Sequence, residues 1–344
     1  MHDAIRFSSS VRLTPLSTMS TAANRMGRTR NQASLVGRAF LAAQHTKPIH
    51  PQTLPLRGRR SCPARHPPAQ YWPHAVSRAA HDRQTPERIP CMKLTVLGCD
   101  GGIGGARHTT CLKLGAHALI DAGTGLGSLS LAEMAAIDHV FLSHAHLDHV
   151  ALLPLLVDSV GAARTRPLEV HGLPATLDSL RQHIFNWQIW PDFSQLPSAE
   201  APWLQWRPLA VGERFAMDDG YLTALPAHHT VPAVAYRLEG PTGSLVFSGD
   251  TSSDEAFWQA VLASPDLRHL LIECAFPDEE SRLAGQARHY SPSRLAADLA
   301  QLPAQVQVWI SHLKPTDAER TLAQIAALAP CEVQALAAGV VLTV

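Results

Sequence analysis

Short apolar runs alternate with amphipathic stretches from residue 92 onward. Val, Leu and Ile gather in runs that end at Gly, Asp or His, which is typical of strands bounded by loops. The predicted strands cover residues 93–98, 111–114, 117–121, 139–143, 221–226, 232–238, 244–248, 269–274 and 306–310. Apolar positions at helical spacing predict helices at about 151–161, 174–185, 254–263, 291–302 and 316–328. Early strands follow one another directly, so the pattern favours an α/β fold with hairpins and a mixed sheet over a doubly wound parallel sheet.

The first 91 residues follow a different pattern. Periodic apolar faces are scarce, prolines crowd residues 48–90, and 14 basic residues stand against 3 acidic ones. Such a segment buries little apolar surface to offset the entropy of ordering the chain. We therefore expect a disordered, basic, Pro-rich leader at residues 1–91 and a catalytic domain at residues 92–344. The leader is either an over-extended reading of the gene, with the true start at Met92, or an Arg-rich transit peptide.

The charge distribution restricts the partners of the catalytic domain. Residues 92–344 carry 15 basic and 26 acidic residues, a net charge of −11. Long nucleic acids require a basic surface, so we expect no such partner here. No apolar run reaches the roughly 18 residues of a membrane span, so we expect no membrane partner. The six cysteines form no C-x-x-C pair, and a reduced, cytoplasmic setting fits them best.

Four potential metal ligands follow the predicted strand 139–143 in close succession. They are His144, His146, Asp148 and His149. Imidazole nitrogens and a carboxylate suit Zn²⁺, Mn²⁺ or Fe²⁺. His144 and His146 are two residues apart and project the same way from an extended segment, and a following turn would let the other two face a second ion. A chance cluster on a solvated loop is the alternative, but the buried strand before these residues argues against it.

More polar residues stand at the ends of other predicted strands, as a site at a sheet edge requires. They are His228, His229, Asp250, His312 and, as a weaker candidate, Glu273. For each of them alone, an ordinary polar residue at a strand end is the alternative interpretation. Together with the histidine cluster they supply enough donors for two ions.

The pattern H-x-H-x-D-H, followed by His, Gly-Asp and His, resembles the metallo-β-lactamase superfamily over residues 92–344. The resemblance implies an αββα sandwich, with two mixed β-sheets flanked by helices and two divalent metal ions at one edge, Zn²⁺ before Mn²⁺ or Fe²⁺. It also implies seven ligands: His144, His146 and His229 for the first ion, Asp148, His149 and His312 for the second, and Asp250 as a bridge.

The resemblance also separates neighbouring candidates. His229-Thr-Val-Pro matches the third ligand motif of the superfamily, so we prefer His229 to the adjacent His228. Asp121 is the last residue of the predicted strand 117–121, and we expect its carboxylate to orient a ligand histidine.

Two-metal chemistry activates a water and stabilises developing charge, but it does not choose between phosphorus and carbon as the target. Asp148-His149 and Asp250 favour phosphorus, because the β-lactamase branches usually replace one of these residues. Longer stretches are similar to class II cyclic-nucleotide phosphodiesterases, a branch akin to the tRNA 3′-processing ribonucleases. These stretches lie at residues 97–102, 119–125, 249–251, 272–276, 289–292 and 311–315.

The similarity implies hydrolysis of 3′,5′-cyclic nucleotides, cyclic AMP first, to 5′-nucleotides through a metal-bridging hydroxide. The partner would be a small cyclic nucleotide, and a homodimer follows only by analogy. One departure weakens this assignment. Val150-Ala151 stands where the phosphodiesterases typically have a small Gly or Ser after the histidine motif.

Asp148, Asp250 and His289 form the expected catalytic set. The resembling families place a histidine at His289, and an imidazolium there would protonate the leaving group or contact the phosphate. Lys314 would hold a phosphate oxygen as a point charge. The alternatives are a histidine bonded to backbone and an exposed lysine.

Two further motifs have competing interpretations. The aromatic stretch 185–190, with Trp203 and Trp206, either stacks a nucleobase or packs in a core, and the core is the commoner outcome. The run Gly101–Gly105 does not match a dinucleotide fingerprint and predicts a tight turn beside the site.

Three alternative functions stay open. RNA 3′-end processing would need a basic arm, which residues 92–344 do not show. Lactone or thioester hydrolysis is compatible with the ligands alone. A non-enzymatic alternative is a nucleic-acid-binding protein that acts through its basic tail, residues 1–91.

Overall fold

The computed structural model of the protein describes residues 91–344. The expected leader lies outside the described residues, apart from Cys91, and stays a prediction. In the part that is described, apolar runs form strands and helices in close alternation.

The described residues form fourteen strands. They are β1 Lys93–Gly98, β2 Cys111–Leu114, β3 Ala118–Ile120, β4 His139–Phe141, β5 Leu168–Gly172, β6 Leu204–Pro208, β7 Arg214–Met217, β8 Gly220–Ala227, β9 Ala233–Gly240, β10 Gly243–Phe247, β11 Leu267–Glu273, β12 Gln307–Ser311, β13 Val333–Ala335 and β14 Val341–Thr343.

Eight α-helices connect or cover these strands within the described range. They are α1 Leu131–Ala136, α2 Leu147–Val150, α3 Leu153–Val160, α4 Pro174–His183, α5 Glu255–Leu262, α6 Ser281–Ala287, α7 Pro292–Leu299 and α8 Ala318–Leu328. None of the helices described has the length and apolarity that crossing a membrane requires.

The strands form two seven-stranded sheets. The first has the order β14-β1-β2-β3-β4-β5-β6 and the second the order β13-β12-β11-β10-β9-β8-β7. In each sheet, one half is antiparallel and the other half parallel, with the change at β3 in the first sheet and at β10 in the second. Both sheets are therefore mixed, as the succession of early strands predicts.

Three apolar layers hold this architecture together. Leu94, Phe141 and Tyr236 belong to the core between the two sheets. A second cluster packs the first sheet against α3 and α4, and a third packs the second sheet against α5, α7 and α8. Burying one such side chain contributes about 1.5–3 kcal/mol. Strands with both faces covered need apolar residues at consecutive positions, which explains the continuous Val, Leu and Ile runs of the sequence.

The helix predicted at 151–161 corresponds to α3, which begins two residues later, at Leu153. A break at Ala151 and Leu152 separates it from the preceding α2, which ends at Val150. Pro154 lies in the first turn of α3 and lacks the N–H that a continuous helix would need. The break lets the short α2 carry Asp148 and His149 in its own orientation.

The structure also contains elements that the periodicity does not predict. They are β5, β6, β7, β13, β14, α1, α2 and α6. Most are short or carry polar residues on the exposed face, so their apolar pattern is weak. The free thiols of Cys99, Cys111 and Cys274 are buried, as expected for small core residues.

Candidate metal centre

Seven polar side chains converge where four loops leave the two sheets. The loop after β4 supplies His144 and His146, and the short α2 that follows it supplies Asp148 and His149. The loops after β8, β10 and β12 supply His229, Asp250 and His312, respectively. These are the seven residues that the sequence motifs single out. Both sheets thus contribute to one edge, as the αββα expectation requires.

The first group of donors contains His144, His146, His229 and Asp250. One donor atom from each lies within 4.8 Å of the others. Nε2 of His229 is 3.0 Å from Nδ1 of His146, and Oδ2 of Asp250 is 3.6 Å from Nε2 of His144. The group is almost closed to solvent, with only His146 partly exposed.

The second group contains Asp148, His149, Asp250 and His312, again with donor atoms within 4.8 Å of one another. Oδ1 of Asp250 is 3.3 Å from Nε2 of His149 and 3.1 Å from Nδ1 of His312. Asp250 therefore turns one oxygen to each group, which is the arrangement that a bridging carboxylate needs. Asp148 is the most exposed of the four donors and borders solvent.

Unpaired buried atoms show that the donor set fits cations. Nε2 of His144, Nε2 of His149, Nδ1 of His312 and Oδ1 of Asp250 accept or donate no hydrogen bond among residues 91–344. An unsatisfied buried polar atom costs about 1–3 kcal/mol, and here four of them point at the same small region. Imidazole and carboxylate donors are those that Zn²⁺, Mn²⁺ and Fe²⁺ take, so divalent metal ions fit both groups.

Hydrogen bonds behind the histidines turn Nε2 of three rings inward. His149 donates its Nδ1–H to Oδ2 of Asp121 at 2.7 Å. His144 donates to Oγ of Ser143 at 3.0 Å, and that hydroxyl donates to the same Asp121 oxygen at 2.8 Å. His229 donates Nδ1–H to the Arg288 carbonyl at 3.1 Å. In each ring Nε2 is then the nitrogen that faces the donor group and would bind a metal ion.

Backbone conformation at the centre is unusual. Asp121 has a φ of 58° and His312 a φ of 57°, a left-handed region that branched and bulky residues rarely adopt. The cost of such strain is on the order of 1–3 kcal/mol, and residues held in it concentrate at functional sites. Gly101 packs against His312 so closely that an added Cβ would lie 2.6 Å from the His312 carbonyl oxygen. The predicted tight turn at Gly101–Gly105 thus borders the site.

Burial sets the protonation of the histidines. Burial lowers the pKa of His229 to about 4 and that of His312 to about 3, and it holds the pKa of His144 well below its ordinary value. These rings are therefore neutral at pH 7, the form that binds metal. Burial alone would raise the pKa of Asp250, but the neighbouring His312 and His149 outweigh it and hold that pKa well below its usual range.

His289 lies between the two donor groups. Its ring centroid is 4.8 Å from that of His229 and 5.2 Å from that of His312. Nδ1 of His289 is 2.7 Å from Oε1 of the fully buried Glu273. The Glu273 carboxylate is fixed by the N–H groups of Thr251 and Tyr290.

Lys314, His228 and Glu273 lie outside the two donor groups. Nζ of Lys314 donates to the Gly101 carbonyl at 2.9 Å and lies 3.3 Å from Nε2 of His312. His228 belongs to neither donor group, and its Nδ1 lies 3.1 Å from Oγ of Ser252. The preference for His229 over His228 agrees with these positions. Glu273 also stands outside both groups, so the structure gives it a contact with His289 in place of a ligand position.

The aromatic stretch is mostly core. Phe185 is buried, and Trp190, Trp203 and Trp206 pack against the cluster that covers the first sheet. Trp187 is 62% exposed. The structure thus gives the core interpretation for all but Trp187.

Sequence reasoning missed two supporting residues, Ser143 and Arg288, and predicted a different role for Glu273. Ser143 precedes the histidine motif directly, and that position was the available signal. Glu273 lies at a strand end, a position that indicates a weak ligand candidate but not a partner for His289. Arg288 supplies a carbonyl to His229 and donates from its guanidinium to the His229 carbonyl at 2.6 Å. A backbone acceptor leaves no trace in residue type, so no pattern could have indicated it.

A family model and two solved structures show which fold family the chain resembles. The family model of the beta-lactamase superfamily domain matches residues 117–327, which is more than half of the chain. Among solved structures, yeast PDE1 without ligand superposes with a TM-score of 0.61 at 19% identity, covering 74% of this chain and 100% of that one. The metallo-beta-lactamase fold protein YhfI of Bacillus subtilis superposes with a TM-score of 0.57 at 20% identity, covering 74% and 100%.

Curated relatives carry two kinds of name. A probable 3′,5′-cyclic-nucleotide phosphodiesterase of Yersinia pestis is 25% identical over 65% of this chain and 78% of its own length. The 3′,5′-cyclic-nucleotide phosphodiesterase 1 of Saccharomyces cerevisiae is 27% identical over 54% of this chain, which spans only 58% of that relative. A nuclear ribonuclease Z of Triticum aestivum is 33% identical over 30% of this chain and 55% of its own length. The match over residues 117–327, together with two donor groups that imply divalent metal ions, identifies the chain as a member of the beta-lactamase superfamily, with the metallo-β-lactamase fold and the site of a metal-dependent hydrolase.

Proposed function

We propose that this chain hydrolyses 3′,5′-cyclic nucleotides, cyclic AMP first, to 5′-nucleotides. The observation that carries the proposal is the position of His289 beside two donor groups that share Asp250. With metal ions bound by these donors, such a site could hold a phosphate next to a proton donor. The relatives named as cyclic-nucleotide phosphodiesterases support this choice of substrate.

The proposed ligands are the seven converging side chains. The first ion takes His144, His146 and His229, the second takes Asp148, His149 and His312, and Asp250 bridges them. Zn²⁺ is the proposed metal, since imidazoles dominate the set. When bound, two divalent ions lower the pKa of a water and neutralise charge on phosphoryl oxygens.

Protonation of the leaving group is the proposed role of His289. Hydrolysis joins the oxygen of a water to phosphorus and breaks the bond between phosphorus and the ribose 3′-oxygen. That oxygen leaves with a negative charge unless a proton arrives. Nδ1 of His289 is occupied by Glu273, so Nε2 is the nitrogen that would donate. Glu273 holds the ring and stabilises its protonated form.

Asp148 and Lys314 are proposed to act at the open side of the site. The Asp148 carboxylate borders solvent and can accept the proton that the attacking water loses. Lys314 donates one N–H to the Gly101 carbonyl, and an ammonium has three N–H groups. A remaining N–H can hold a phosphate oxygen as a point charge.

RNA 3′-end processing is the second candidate, because the wheat relative named ribonuclease Z shares 33% identity over part of the chain. Electrostatics oppose it. Residues 92–344 carry a net charge of −11, and a tRNA backbone would be repelled in the absence of a basic surface. The cyclic nucleotide has a single phosphate, which the cations of the site can neutralise.

A substrate panel tests the proposal. The full chain, loaded with Zn²⁺ or Mn²⁺, is assayed with cyclic AMP, cyclic GMP, a precursor tRNA and an acyl lactone. We expect turnover of the cyclic nucleotides and little of the others. Activity on the precursor tRNA or the lactone, without cyclic-nucleotide turnover, would refute the proposal.

A further inference from the structure

Three further potential metal ligands, which do not belong to the seven-residue centre, lie close together on the first sheet. His139 is the first residue of β4, and Glu169 and His171 are two residues apart on the neighbouring β5. The parallel register pairs His139 with Glu169 and Phe141 with His171. Side chains two residues apart project from the same face of a strand, so all three residues share one face of the first sheet.

The donor atoms of these residues form a small triangle. Nδ1 of His139 is 3.2 Å from Nε2 of His171. Oε2 of Glu169 is 3.5 Å from the former nitrogen and 3.7 Å from the latter. At zinc bond lengths of ~2.0–2.2 Å, tetrahedral geometry places neighbouring ligand atoms about 3.3–3.6 Å apart. The observed edges match a tetrahedral face.

Hydrogen bonds between these side chains do not give all three donor atoms a partner. A single proton between the two rings accounts for the 3.2 Å contact only. Oε2 of Glu169 accepts no hydrogen bond within residues 91–344, and its distances to the rings exceed ordinary hydrogen-bond lengths. A cation in the centre of the triangle would contact all three donors at once.

The surroundings hold the donors in place. Arg207 donates to Oε1 of Glu169 at 2.6 Å and to Oε1 of Gln205 at 2.8 Å, which leaves Oε2 directed at the histidines. The ring of His171 stacks on Phe141, with centroids 4.4 Å apart, and is nearly buried. His139 and Glu169 are partly exposed, so an ion could enter from solvent and keep a water as its fourth ligand.

We propose that His139, Glu169 and His171 form a third metal site, which binds a first-row divalent cation of the Zn²⁺ class. Two imidazoles and one carboxylate are donors for such ions and not for Mg²⁺ or Ca²⁺. The site joins β4 to β5 at a place where no ligand of the catalytic centre is used. Its ion therefore clamps the sheet and takes no part in hydrolysis.

Zinc stoichiometry of single variants tests the third site. The full chain is stripped with a chelator, dialysed at a fixed free Zn²⁺ concentration, and its zinc is counted by mass spectrometry. We expect His139→Gln and Glu169→Gln to bind one ion per chain fewer than the wild type. His183→Gln, at the exposed end of α4, is the matched control and should bind as many ions as the wild type.

Two measurements exclude a trivial loss of structure. The melting temperatures in chelator should agree among wild type and the variants, because both replaced side chains are partly exposed. Added Zn²⁺ should raise the melting temperature of the wild type more than that of His139→Gln. The proposal is overturned if both variants keep the wild-type ion count, or if His183→Gln loses an ion as well.

Discussion

The carboxylate of Asp121 lies 2.7 Å from Nδ1 of His149, and both side chains are shielded from solvent. This contact fixes the tautomer of the ring, so that Nε2 of His149 faces Oδ1 of Asp250 at 3.3 Å. Asp121 also accepts hydrogen bonds from the backbone N–H and the hydroxyl of Ser143. One carboxylate thereby orients the loop that follows β4.

Replacing Asp121 should therefore weaken metal binding at the second donor group. In Asp121→Asn the amide has one acceptor atom in place of two, so the His149 ring loses its fixed orientation. We expect the affinity for the more weakly held ion to fall by about 10–100-fold, measured by competition with a chromogenic chelator. Asp298→Asn, whose carboxylate accepts from the Tyr290 hydroxyl, is the control, and an equal loss there would point to general destabilisation.

Removing the shared carboxylate should affect both ions. Asp250→Ala deletes both oxygens that face the two donor groups, while His149→Ala removes one nitrogen from the second group. We expect turnover to fall by orders of magnitude in both variants, with the far-ultraviolet circular dichroism unchanged. Zinc counting should show fewer catalytic-site ions in Asp250→Ala than in the wild type. Wild-type rates in either variant would contradict the two-ion assignment.

How far the sequence predicts the site depends on the kind of residue. His144 and His312 stand at the ends of apolar strands, and their chemistry is visible in residue type and spacing. Glu273 has the same position but a different role, because its partner His289 comes from another loop and only tertiary structure brings them together. The carbonyl of Arg288 could not be predicted at all, since every residue carries one.

The strands also differ in how far the sequence predicts them. β1 is buried at alternating positions and β9 at consecutive ones. Their apolar patterns are clear, and the sequence predicts both strands to within a few residues. β5 carries Glu169 and His171 among its five residues. These polar residues interrupt the apolar pattern, so hydrophobic periodicity does not predict the strand. Its position in the sheet depends on pairing with β4 and β6, which a local pattern does not contain.

A substrate with a better leaving group should separate the role of His289 from that of the metal ligands. In His289→Ala we expect cyclic AMP turnover to fall by about 10²–10⁴-fold, the usual contribution of general acid catalysis. A p-nitrophenyl phosphodiester releases a stable phenolate that needs no proton, so its hydrolysis should fall far less.

His228, which is adjacent to the proposed ligand His229, provides the matched control for this experiment. His228→Ala removes an imidazole that belongs to neither donor group, and both substrates should react at nearly wild-type rates. Glu273→Gln should resemble His289→Ala in part, because the ring loses the carboxylate that holds it. Equal losses for both substrates in His289→Ala would show that this histidine positions metal or substrate and donates no proton.

Acid should destabilise the metal-free chain within a defined pH window. Burial lowers the pKa of His229 and of His171 to about 4, against about 6.5 in an unfolded chain. Between these values the unfolded chain binds protons that the folded chain does not, so the free energy of unfolding falls as the pH drops from 6.5 towards 4. His149 has a raised pKa, so in the metal-free folded chain it keeps its proton and opposes this fall slightly near pH 6.5, where the unfolded chain is only half protonated.

Urea unfolding in the presence of a chelator, at several pH values from 7.5 to 4.5, measures this slope directly. We expect the midpoint to fall steadily below pH 6.5. His171→Phe should show a shallower fall, because it removes one buried neutral imidazole and keeps an aromatic ring against Phe141. A midpoint that stays constant from pH 6.5 to 4.5 would mean that these rings are protonated in the folded chain, and the assignment of neutral, metal-ready histidines would then be wrong.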